Sequence, residues 1–252
     1  MRSAQRGFSL LELAAVIGTV GVLMAAAVAT SGGRTSRDEF NELAMQQRLA
    51  QAVIAFAQRS HRLPCPDSSG DGLENCAETV SIGGVPFQTL EVAVAGGPGS
   101  ALARRYMYGV YRAPSADATA DADLPVLKER TSNLSGELGY LARNDLIMAL
   151  RNAHRAQQDT GRLMVAGPNS STVGATCTSA GIQVAFALVY AGVGDADRAS
   201  PATDYDGVNA GLKWPGGSTV RCVENPSVGR SEGYDDTVIA VSFTELLGYL
   251  IR

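Results

Sequence analysis

The stretch Arg6–Ala29, RGFSLLELAAVIGTVGVLMAAAVA, decides how the rest of the chain is read. A basic leader, residues 1–7 with Arg2 and Arg6, runs into an apolar segment from Phe8 to Ala29. As an α-helix that segment rises about 33 Å, enough to cross the hydrocarbon of a bilayer. One charge interrupts it, Glu12. A carboxylate at that depth costs roughly 2.5–3.5 kcal/mol even on the gentler insertion scales, so Glu12 is expected to have a partner. The rival reading is a cleaved signal or a plain anchor, with Ala27-Val28-Ala29 as the cut site. It ranks lower, because the run exceeds the roughly 7–15 apolar residues of a signal core and holds a carboxylate. Arg2 and Arg6 keep the leader cytoplasmic by the positive-inside rule, which places the chain after Ala29 outside.

Gly7 followed by Phe8, Ser9, Leu10 and Glu12 resembles the processing site of type IV prepilins and type II secretion pseudopilins. In that family a prepilin peptidase cuts after the glycine and methylates the new terminal amine. The resemblance implies cleavage between Gly7 and Phe8, N-methylation of Phe8 and an assembly role for Glu12. The Glu12 carboxylate would pair with the positive Phe8 amine of a neighbouring subunit, offsetting two desolvation costs and setting the axial register of a filament. The implied fold is α+β and pilin-like: a long N-terminal helix, transmembrane in its first half, packed on a globular head with an antiparallel β-sheet. The expected organisation is a leader at 1–7, a transmembrane helix at 8–29, its amphipathic continuation at 30–62 and a head at 63–252. The implied setting is the bacterial inner membrane, single-pass, with the head in the periplasm or on a surface filament. The implied partners are the prepilin peptidase and other pilin or pseudopilin subunits. Pilins commonly carry a proline in the outer part of this helix; this chain has none between Phe8 and Leu63, and Gly32-Gly33 is the expected flexible point.

Composition narrows the classes. The chain has 252 residues, a net charge of -4 and 45% hydrophobic residues, leaving enough length beyond the membrane segment for one sizeable domain. Lys128 and Lys213 are the only lysines and no dense basic tract occurs, so no nucleic-acid partner is expected. Cys65, Cys76, Cys177 and Cys222 all fall in the part expected outside, where an even count reads as two disulfides. Proximity in the chain favours Cys65–Cys76 and Cys177–Cys222 among the three connectivities. By the chain-entropy treatment these stabilise by about 3 and about 4 kcal/mol. Zinc is the rival, but there is no Cys-x-x-Cys and only His61 and His154 are present.

Ser36 and Glu39 form a capping-box pattern, and Leu49, Ala50, Val53, Ile54, Phe56 and Ala57 then recur at helical spacing. This amphipathic helix is expected to end near His61, before Leu63-Pro64-Cys65-Pro66. Asp67, Ser69, Asp71, Gly72 and Glu78 follow at the spacing of an EF-hand calcium loop, with Ser69 the weak member. The alternative, an Asx/Gly turn closed by a disulfide, is placed somewhat ahead of calcium. Arg104–Tyr111 reads as a strand. The Pro-Cys-Pro-Asp turn, Val85-Pro86-Phe87-Gln88-Thr89-Leu90 and Tyr106-x-Tyr108-x-Val110 look, more loosely, like a subgroup of pilin-like secretion proteins with larger heads.

Ala113–Asp123 is expected as a surface loop and Gly136–Asp159 as a second helix, with His154 a solvated residue on it. Ile182–Ala191, IQVAFALVYA, is expected as one central strand. Asp195, Asp197, Asp204 and Asp206 gather in the loop after it; acidic loops in this region bind calcium in some pseudopilins, and a merely solvated loop stands at even odds. Trp214–Gly217 reads as a turn, and Ser218–Val223 and Asp235–Phe243 as strands, before a short helix over Thr244–Ile251. Asp235 and Asp236, adjacent on the last of these strands, would point to opposite faces as turn or surface residues.

No catalytic arrangement assembles. The chain lacks a phosphate-cradling Gly-x-x-x-x-Gly-Lys-Ser/Thr, a Gly-x-Ser-x-Gly elbow and a His-Glu-x-x-His. The expected function is that of a structural subunit rather than an enzyme: a minor pilin or pseudopilin of a type IV pilus or type II secretion pseudopilus. The alternative is a binding module displayed on the filament, an adhesin or calcium-stabilised receptor.

Overall fold

The computed structural model describes residues 41–77, 80–113, 121–130, 143–167, 177, 181–192, 196, 204–216 and 220–251. The chain divides into two compact units, Met1–Met45 and Gln46–Arg252, and the second holds the head. Among the described residues no helix is long and apolar enough to cross a membrane. Residues 1–40, which include Gly7, Phe8, Glu12 and the expected membrane helix, lie outside the described residues.

The head is α+β. Its first helix, α1, covers residues 41–60 and ends where expected, at His61, whose φ of 55° leaves the helical region. Within the second unit Gln46, Leu49, Ala50, Val53, Phe56 and Ala57 are buried, one stripe at i, i+3, i+4, i+7 spacing. Gln46 is the member that periodicity of apolar residues does not find. Its Nε2 donates to the Thr237 carbonyl at 2.9 Å, and its Oε1 accepts from the Thr237 hydroxyl at 2.9 Å, so burial leaves the amide satisfied. Further along, Gln58 Nε2 donates to the Tyr249 carbonyl at 2.9 Å.

The main sheet is antiparallel with strand order β1-β2-β5-β7, formed by Ile82–Gly84, Tyr106–Val110, Phe186–Tyr190 and Thr237–Val241. Central β2 and β5 are buried at every position, as continuous apolar runs predict for strands covered on both faces. Residues paired across the ladder share a face. Tyr190 pairs with Thr237, and the Thr237 hydroxyl meets Gln46, so α1 covers the Tyr106–Tyr108–Tyr190 face. Rings on this face pack at 4.7 Å between Tyr106 and Tyr190 and at 6.3 Å between Tyr108 and Phe186. The opposite face, with Met107, Ala187, Val189 and Val238, packs on Leu163, Val165 and Val223.

Those last residues belong to or border a second, smaller sheet of order β4-β3-β6, from Ile182–Gln183, Met164–Val165 and Cys222–Val223. Here β3 and β4 are antiparallel, β3 and β6 parallel. The run Ile182–Ala191 is therefore not one strand. It breaks at Val184-Ala185, giving β4 to the small sheet and β5 to the large one. Helices α2, Arg143–Arg155, and α3, Phe243–Ile251, pack on each other. The predicted helix over Gly136–Asp159 ends at Arg155 rather than Asp159, and residues 131–142 lie outside the described residues.

The end of the expected surface loop is not at the surface. Asp121 and Asp123 are buried: Lys128 Nζ reaches Asp121 at 2.9 Å, Arg130 reaches it at 3.5 Å, and Arg112 lies 3.6 Å from Asp123. Arg130 N–H also donates to Asp145 Oδ1 at 2.6 Å. These paired charges are what allow a polar segment to be enclosed.

Candidate metal centre

Two loops far apart in the chain converge around three aspartates. Tyr205 and Asp206 precede a 3₁₀ turn, Gly207–Gly211, and residues 234–236 lead into β7. Each loop caps the other. Asp206 N–H donates to Asp236 Oδ2 at 3.1 Å, and Asp235 N–H donates to Asp206 Oδ2 at 2.8 Å. Asn209 Nδ2 donates to Asp236 Oδ2 at 2.9 Å and to the Tyr234 hydroxyl at 3.3 Å. Asn209 Oδ1 accepts Glu224 N–H at 2.9 Å, which ties the turn to the chain leaving β6.

Asp206 and Asp236 are 0% and 1% exposed, and Asp235 is half-buried. One oxygen of each lies within 4.8 Å of the others. Asp236 Oδ1 is buried and has no hydrogen-bond partner among the described residues. Against this group the backbone leaves room: a Cβ placed on Gly192 would collide with the Asp235 carboxylate, so glycine is required there for the close approach.

The electrostatics follow from this crowding. Burial, then the charges of Asp206 and Asp235, push the Asp236 carboxyl up to about 8 against the lowering pull of Asn209 and the Asp206 N–H. Burial and then the Asp236 charge also raise the Tyr234 and Tyr205 hydroxyls. Among the described residues no cationic side chain ion-pairs with Asp236. An all-oxygen, carboxylate-rich set with an unshared oxygen suits a hard divalent cation such as calcium or magnesium and offers nothing to a soft one.

Sequence reading reached this site only in part. Asp204 and Asp206 stand in the loop it singled out, while Asp195 and Asp197 lie outside the described residues. Asp235 and Asp236 are not opposed on a strand: both precede the β7 ladder, and Asp236 is interior rather than a surface residue. Asn209, Tyr234 and Glu224 carry no one-dimensional signal that would have found them.

The Asp67–Glu78 loop is built differently. Asp67 Oδ1 accepts from Ser69 N–H at 2.9 Å, the Ser69 hydroxyl at 3.0 Å and Gly70 N–H at 2.7 Å, and its Oδ2 accepts Gly72 N–H at 2.7 Å. The segment is an Asx turn whose aspartate is committed to the backbone. Gly70, at φ +84°, allows the Trp214 ring to sit 2.5 Å from where a Cβ would be. Asp71 Oδ1 accepts Leu73 N–H at 2.9 Å, and Glu78 lies outside the described residues.

Both disulfides are present, Cys65–Cys76 and Cys177–Cys222, and no free cysteine remains. The first closes the Asx turn beside a two-pronged pair in which Arg62 Nη1 and Nη2 meet Glu74 at 2.7 and 2.6 Å. Glu74 sits close to these cysteines, but their sulfurs are bonded to each other and are not thiolate ligands. Comparison of the chain with protein-family models, curated proteins and solved structures finds no match.

Proposed function

We propose that this protein is a pilin-like structural subunit of a type IV pilus or type II secretion pseudopilus. The observation that carries the reading is the Gly7-Phe8…Glu12 pattern at the head of an apolar run long enough to span a bilayer. Its support in the fold is α1, an amphipathic helix covering one face of an antiparallel sheet in an α+β, disulfide-bonded head. Glu12 acts in assembly by pairing with the terminal amine of Phe8 on a neighbouring subunit, after the prepilin peptidase has removed residues 1–7.

Intact-mass and N-terminal peptide analysis of the chain extracted from bacterial membranes tests the reading. The expected product begins at N-methyl-Phe8, and Glu12→Ala is processed normally yet absent from filaments. A chain that begins at Met1 or is cut after Ala29 would overturn the assignment. Normal incorporation of the Glu12→Ala variant would remove the ion pair.

The aspartate cluster favours a second reading, a filament-displayed binding module with a cation-stabilised head. Asp206, Asp235 and Asp236 would hold calcium, neutralising three carboxylates and locking the loop before the 3₁₀ turn to the one before β7.

A further inference from the structure

The last turns of α2 and the first of α3 enclose a cleft of about 370 Å³. Its floor is apolar, formed by buried Leu150 and Phe243 and half-buried Leu247. Arg151, His154 and Arg155 line it from α2, and Thr244 lines it from α3. The three basic residues stand at i, i+3 and i+4, so they share one helical face. All three are exposed, and none of their side chains has a hydrogen bond or ion pair with another described residue. Among the described residues no acidic one lines the cleft. Elsewhere in the head Arg62, Arg112, Arg130 and Arg162 each have a carboxylate.

The carbonyl end of α2 explains His154 and Arg155, since cations are favoured at a helix C-terminus. It does not explain Arg151, a full turn earlier. Arg151 and Arg155 are like charges at i, i+4, an arrangement that disfavours the helix by a few tenths of a kcal/mol and that an anion between them reverses. The protein as a whole is acidic, with net charge -4, so the positive potential here is local. Mostly apolar walls with a few convergent polar groups describe a site for a small amphipathic molecule.

We propose that the α2–α3 cleft binds an amphipathic anion, an oxyanion head on an apolar tail. Arg151, His154 and Arg155 hold the head, the guanidinium forks matching the paired oxygens of a carboxylate or phosphate. Leu150, Phe243 and Leu247 take the tail. This binding is independent of filament assembly and of the aspartate cluster.

The full chain in neutral-lipid nanodiscs, titrated calorimetrically against empty nanodiscs, provides the test. The probes are octanoate, octyl phosphate, octanol and acetate. The expected result is saturable binding of octanoate or octyl phosphate, with octanol and acetate weaker by roughly tenfold or more. The tighter of the two anions identifies the head as carboxylate or phosphate. Arg151→Gln with Arg155→Gln, at exposed positions, weakens the anion roughly tenfold or more without lowering the melting temperature. Thr244→Trp fills the cleft and abolishes binding. Raising the salt to about 0.5 M weakens binding by screening. Absence of saturable binding by either anion, equal binding of octanol, or binding unchanged in both variants overturns the proposal.

Discussion

Asp236 shows how a single side chain can be held in a state its sequence position does not announce. One oxygen is shared between Asn209 and the Asp206 N–H, and the other is enclosed with no hydrogen-bond partner among the described residues, beside two further carboxylates. Because the carboxyl titrates at about 8 in the folded protein, far above its ordinary value, the folded state keeps a proton that the unfolded chain has released. Stability contributed by that proton is therefore full in acid and is lost as pH rises toward 8, with a slope of at most about 1.4 kcal/mol per pH unit. With chelator present, the free energy of unfolding of the head, followed by the fluorescence of the single tryptophan, Trp214, should fall between pH 5 and 8. Asp236→Asn, neutral and nearly isosteric, should flatten that fall; an unchanged slope would show that Asp236 is not the group responsible. In the wild type, calcium at about 100 times its Kd should raise the melting temperature by about 5 °C or more, and Asp236→Asn should remove the rise. A melting temperature indifferent to calcium would exclude the cation site. The sequence did not disclose this cluster, because Asp206 and Asp236 are 30 positions apart and meet only through the loops that flank the sheet.

Among the elements, α1 was the most legible. Leu49, Val53, Phe56 and Ala57 announce the buried stripe by period alone, and the Pro64-Cys65-Pro66 punctuation announces its end. Gln46 sits on the same stripe and escapes that reading, since a buried amide is recognised only by its partner on β7. Leu49 is fully buried, and Leu49→Ala should cost about 3 kcal/mol of head stability in denaturant titration. Gln51→Ala, on the exposed side of the same helix, should change it by less than about 0.5 kcal/mol. Equal effects would mean that α1 does not pack by its apolar stripe. The strands were harder to read. Two-residue β3, β4 and β6 are too short to display a period, and the apolar run Ile182–Ala191 offers no mark at Val184-Ala185 where its pairing partner changes.

On the scale of the whole molecule the two disulfides divide their work by the chain they enclose. Cys65–Cys76 spans 11 positions and secures the turn after α1, whereas Cys177–Cys222 spans 45 and ties the segment after β3 to β6. Removing the longer cross-link, by Cys177→Ser with Cys222→Ser, should cost about 4 kcal/mol against about 3 for the shorter pair, measured as unfolding free energies. A larger loss from the shorter one would place its effect in the Arg62–Glu74 turn rather than in chain entropy. What depends on neighbours along the chain was legible from residue order alone: the apolar run after Arg2 and Arg6, the amphipathic phase of α1, the helix-ending prolines and the pairing of cysteines close in order. These properties follow from period, propensity and loop length. The small second sheet, the burial of Asp121 and Asp123, the meeting of Asp206 with Asp235 and Asp236, and the cationic cleft between α2 and α3 emerge only in the folded chain. Each of these is a contact between segments distant in the chain, set by how the sheet and helices pack, and such packing leaves no local mark on the residues that take part.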